Sequence, residues 1–84
     1  MPNLSQFYGI TILMYFLGSE HNPPHIHAFY GRHQAIFIVK TGEIASGKFP
    51  PKATALVREW LALHREELMT IWQTQKFKKI KPLE

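Results

Sequence analysis

Three imidazoles fall within seven residues of this 84-residue chain, in the run Glu20-His21-Asn22-Pro23-Pro24-His25-Ile26-His27. If the chain after the prolines is extended, His25 and His27 lie two residues apart on the same strand face and Ile26 points to the other. Neutral imidazoles so placed can ligate Zn²⁺, Ni²⁺ or Cu²⁺ through a ring nitrogen, and the stiff Pro-Pro segment could bring His21 or Glu20 in as a third ligand. The candidate metal set is therefore His21, His25 and His27, and it lacks the cysteine or separate acidic ligand of the common zinc signatures. The expectation is that no cofactor is used, and Zn²⁺ or another transition metal at His21, His25 and His27 is the alternative.

The same rings offer acid–base chemistry. An imidazole titrating at about pH 6.5 takes and gives a proton near neutrality, as phosphodiester cleavage requires. Arg32 and His33 follow just past this strand, and with Tyr30 they could hold a phosphate and stabilise charge developing on it, so RNA cleavage would need no metal. On this reading His25, His27 and Arg32 are the candidate catalytic residues, and His21, Tyr30 and His33 the candidate binding residues. A plainer reading makes His25 and His27 sheet-surface side chains hydrogen-bonded to the adjacent turn.

The elements that must position these residues follow from periodicity. Ile10, Ile12, Met14 and Phe16 alternate with Thr11, Leu13 and Tyr15, which predicts a first strand over Gly9 to Phe16. Turn formers from Leu17 to Pro24 precede a second strand over His25 to Tyr30. Gly31-Arg32-His33 links it to a third, Gln34 to Lys40, whose run Ala35-Ile36-Phe37-Ile38-Val39 has the continuous apolar character of a central strand. After Thr41-Gly42, a weaker strand from Glu43 to Phe49 closes an antiparallel meander of about four strands over residues 7–49.

Pro50-Pro51 opens a helix over about 51–75. Ala53, Leu56, Val57, Trp60, Leu61, His64, Leu68, Ile71 and Trp72 form one apolar stripe, opposite a polar face carrying Lys52, Arg58, Glu59, Arg65, Glu66 and Gln73. The tryptophans and His64 read as core residues, and a bend is expected near His64 although no Gly or Pro forces one. The fold class is α+β: one domain over 1–84, a meander packed on one long amphipathic helix, with a basic tail over 76–84. Strands one and three are apolar on both faces, and one helix covers only one face, so the other should meet a homodimer partner or a second small protein.

Composition narrows the classes further. No cysteine is present, which removes disulfides, thiolate metal sites and cysteine nucleophiles and fits a reducing compartment such as the cytoplasm. No apolar run is long enough to span a membrane, and the opening Met1-Pro2-Asn3-Leu4-Ser5-Gln6 has no secretory signal pattern. Singly scattered glycines form no phosphate cradle, and dispersed carboxylates give no glycosidase pair. Ten Lys and Arg against six Asp and Glu leave a formal charge of +4, which suits an anionic partner. Four of these cations, Lys76, Lys78, Lys79 and Lys81, crowd the tail. Interleaved with Phe77 and Ile80, they suggest docking, and Lys78 and Lys79 are candidate RNA-binding residues.

Several segments together carry a resemblance to a known family: Phe7-Tyr8-Gly9-Ile10, His21 to Ala28 with Tyr30-Gly31, Phe49-Pro50-Pro51, Glu59-Trp60, Leu63 to Leu68, and Trp72. The chain resembles bacterial domain-of-unknown-function family 4160 over almost its whole length, most specifically at Pro-Pro-His-x-His. The resemblance implies a small prokaryotic protein encoded beside another short gene, often of family 2442, the two forming a toxin–antitoxin module. It therefore implies a small protein partner, in a heteromeric complex or beside a homodimer. Ile26 departs from the aromatic residue usual there, and Arg32-His33 makes a normally more acidic tip basic. The leading expectation is a toxin-like component that binds or cleaves RNA through the histidines. The alternatives are a non-enzymatic interaction domain, serving as antitoxin or regulator, and a histidine-based metal module.

Overall fold

Period-two alternation becomes a five-stranded antiparallel meander in the computed structural model, which describes residues 3–14, 23–74, 76 and 78–83. The strands are β1 (Asn3–Phe7), β2 (Ile10–Leu13), β3 (His25–Tyr30), β4 (His33–Ile38) and β5 (Ile44–Lys48), and they lie in the sheet in chain order. The meander thus has one strand more than the four expected. β1 escapes a period-two reading because its register with β2 slips between Asn3 and Ser5, so Leu4 and Ser5 are both buried where alternation would expose one.

The helix α1 (Pro51–Thr74) begins where Pro51 can occupy the first turn without a missing donor, and the Thr54 amide closes that turn on the Pro50 carbonyl at 2.8 Å. Its buried residues Ala53, Val57, Trp60, Leu61, Leu68 and Ile71 join Ile12, Ile26, Ala28, Ala35 and Phe37 of the sheet in one apolar cluster. Paired residues on adjacent strands share a face, so the register fixes the two faces of the sheet. Ile12–Ala28–Ala35 and Ile26–Phe37 face the helix, while Leu13–His27–Ile36–Ser46 and Thr11–Phe29–Gln34–Lys48 face away from it.

α1 bends at the residue where a bend was expected. His64 leaves helical geometry at φ −120° and ψ 19°, with its ring 5.4 Å from that of Trp60 and its Nδ1 2.8 Å from the Glu67 carboxylate. A polar ring engaged on both sides takes the place of the Gly or Pro that usually marks such a kink. Two arginines of the expected polar face are tied down: Arg58 donates to the Gly42 carbonyl at 2.9 Å and Arg65 to the Val39 carbonyl at 3.0 Å, anchoring the β4–β5 turn to the helix.

The basic tail docks. Trp60 donates its indole N–H to the Lys81 carbonyl at 2.9 Å, the Ile80 amide donates to Leu4 of β1 at 2.8 Å, and Ile80 and Leu83 are buried. Phe77 lies outside the described residues. No helix among the described residues is long and apolar enough to cross a membrane.

Candidate functional site

β3 places His25 and His27 as its sequence requires. Ile26 and Ala28 are fully buried against the helix, and the two histidines, half-buried, occupy the opposite face with ring centroids 5.3 Å apart. His25, at the start of the strand, also stands 5.1 Å from the ring of Trp72, where the last turns of α1 pass the rim of the sheet. Its Nδ1 lies 2.9 Å from the Pro23 carbonyl oxygen. A carbonyl only accepts, so the neutral His25 ring carries its proton on Nδ1 and its lone pair on Nε2. The Nε2 atom of His27 is shielded from solvent, and His25, His27 and Trp72 are all engaged by further neighbours.

This arrangement bears unequally on the chemistries that the sequence offers. The Pro23 contact sets the orientation of the His25 ring and with it the direction of Nε2. Among the described residues no three His, Cys, Asp or Glu side chains gather closely enough to hold a metal ion, and two imidazoles fall short of the three protein ligands of a catalytic zinc site. The expected third ligands, His21 and Glu20, lie outside the described residues.

The cationic candidates are dispersed around the sheet. Tyr30 pairs with His33 across the β3–β4 hairpin, whose turn holds Arg32, whereas His25 pairs with Ile38 at the opposite end. Five residue steps separate His25 from Tyr30, roughly 17 Å along an extended strand. Arg32 and His33 are exposed at the tip and are not brought together with His25. Tyr30 leans over Gly9, whose added Cβ would meet its ring at 3.3 Å, and its ring lies 6.2 Å from that of Phe49. Lys78 and Lys79 are exposed on the tail that joins β1, and the Lys78 ammonium lies 3.8 Å from Glu67. The Glu67 carboxyl is held below the usual carboxylate range, chiefly by its hydrogen bond from His64, with burial opposing and the His64 and Lys78 charges assisting.

A further feature joins His27 to residues that were not singled out from sequence. On the helix-free face a depression of about 310 Å³ opens between β3, β4 and β5, bordered by His27, Phe29, Gln34, Ile36, Ser46 and Gly47. Gly47 sits at φ +85°, and a Cβ there would overlap the Gln34 carbonyl oxygen and come within 2.9 Å of the Ala35 Cα. The sequence signal was a Ser-Gly pair inside a strand whose own period is weak.

Comparison with known proteins finds one family for the chain. Residues 9–73 match the family described as Domain of unknown function (DUF4160). No curated protein and no solved structure matches the chain.

Proposed function

The chain belongs to the DUF4160 family, and on that premise we propose that it is a non-enzymatic protein-interaction domain, the partner-holding half of a two-gene toxin–antitoxin module. One observation carries the reading. The helix-free face presents Phe29, Ile36 and Ile38, all half-buried, with a depression that Phe29, Ile36 and His27 border. An apolar patch edged by polar groups on a small domain is the form that protein contacts take. The burial of His27 Nε2 and the distance from His25 to Arg32 fit recognition better than turnover, since an acid–base pair must reach its substrate. The partner is the small protein encoded by the adjacent short gene, and co-expression of the two tests the reading. A stable complex after gel filtration is expected, whereas separate elution of both at micromolar concentration contradicts it.

A second reading keeps the RNA chemistry expected from the sequence, because the Pro23 contact orients the His25 ring next to a second imidazole. Here the chain is the toxin. Growth arrest on induction of the chain alone, relieved in a folded His25→Ala/His27→Ala variant, would favour it. Normal growth with both proteins leaves the interaction domain.

A further inference from the structure

The two edges of the sheet are finished differently. At β1 the chain supplies a contact of its own, since the Ile80 amide donates to the Leu4 carbonyl and Ile80 is buried. At β5 none of the hydrogen bonds among the described residues reaches Ile44–Lys48 from outside the sheet, and Ala45, Ser46, Gly47 and Lys48 are exposed. An uncovered edge strand offers N–H and C=O groups that an extended segment can complete. The depression bordered by Phe29, Ile36, Ser46 and Gly47 lies just inside that edge on the helix-free face, where alternate side chains of an added strand would seat.

Two devices restrict what can pair there. Ala45 is bulged out of register, because Ser46 pairs with Ile36 while Ile44 pairs with Phe37, and such irregularities discourage indiscriminate pairing. Lys48 ends the strand opposite Gln34, next to the tip that carries Arg32 and His33. The described carboxylates lie elsewhere: Glu59, Glu66 and Glu67 on α1, and Glu43 before the other end of β5. This cationic end selects an acidic segment and disfavours a second copy of a chain whose own charge is +4.

We infer that β5 is a docking edge for an extended segment of a partner protein, which joins the sheet antiparallel as a sixth strand and sets carboxylates at its N-terminal end against Lys48, His33 and Arg32. The inference rests on the interaction-domain reading and specifies how the partner is held. Its test is NMR titration of the ¹⁵N-labelled full chain with a short synthetic peptide that alternates valine and threonine after N-terminal glutamates. Two control peptides replace the glutamates with lysines or N-methylate alternate amides.

The expected result is a set of amide shifts confined to β5, its partner residues on β4 and the depression. Binding should fall about five- to tenfold with the lysine peptide and vanish with the N-methylated one. Ala45→Pro, at a bulged position where sheets tolerate proline, should keep the circular dichroism spectrum and lose the binding. Shifts centred elsewhere, equal binding of the N-methylated peptide, or no binding of any peptide would each overturn the inference. If the adjacent-gene complex still forms in those cases, the interaction-domain reading stands and only the edge assignment falls. If that complex does not form either, both fall.

Discussion

His25 donates its Nδ1–H to the carbonyl of Pro23, 2.9 Å away, across the point where the proline segment enters β3. The bond joins a sequence feature, the Pro-Pro-His run, to a chemical one, the tautomer of the ring. The neutral ring should therefore be the Nδ1-protonated form. Ring ¹⁵N shifts recorded well above the imidazole titration range test this. A predominant Nε2–H form would mean that the contact does not orient the ring.

Gly47 of β5 leaves no room for a side chain beside the Gln34 carbonyl of β4. Gly47→Ala adds a Cβ where none fits and forces an L side chain to φ +85°. The strain should cost about 2–4 kcal/mol, which for a domain of this size lowers Tm by roughly 10–25 °C. A thermal melt that shifts by only a degree or two would show that β5 moves aside without cost.

Glu67 provides a pH dependence of known sign. Its carboxyl is held below the ordinary 4.5 by the His64 hydrogen bond first, so the stability that it contributes is present above pH 4.5 and is lost as pH falls through the lowered folded value. The side chain is 41% exposed, so solvent screening keeps the contribution small, within about 0.5 kcal/mol. The Tm difference between the wild type and Glu67→Gln should be a degree or two at pH 6 and shrink towards zero below pH 4.5. A difference that grew on acidification would assign the opposite sign to the pair.

Much of this architecture was legible in the chain because the signals are local. The period-two runs place β3 and β4, the 3.6-residue stripe places α1, and His25 and His27 two apart in a strand must share a face. The bend near His64 was expected without a Gly or Pro to force it, and the contacts of the ring with Trp60 and Glu67 supply its reason. β1 was not, because its bulge sets Leu4 and Ser5 side by side in the core and erases the alternation. Nor was the separation of Arg32 from His25, which depends on the length and register of the β3–β4 hairpin and not on their nearness in sequence. The different finish of the two edges was hidden for a third reason: Ala45-Ser46-Gly47 has no hydrophobic pattern, and the contact at β1 is made by the distant residue Ile80.

The central claim is that the helix-free face of the sheet holds a protein. The most direct measurement is the affinity of the purified chain for its proposed partner, the small protein of a neighbouring short gene, compared between the wild type and Ile36→Glu. Ile36 is half-buried beside the depression and opposite the helix-packed face, so a carboxylate there leaves the core intact while charging the contact. The account predicts that the variant keeps its circular dichroism spectrum and cooperative melt and binds at least about thirtyfold more weakly, as for a charge forced into an apolar contact centre at about 2 kcal/mol or more. Ile38→Thr, a milder change on the same face, should weaken binding in the same direction. Undiminished binding by a folded Ile36→Glu protein would contradict the claim and move the partner, or the function, to another surface.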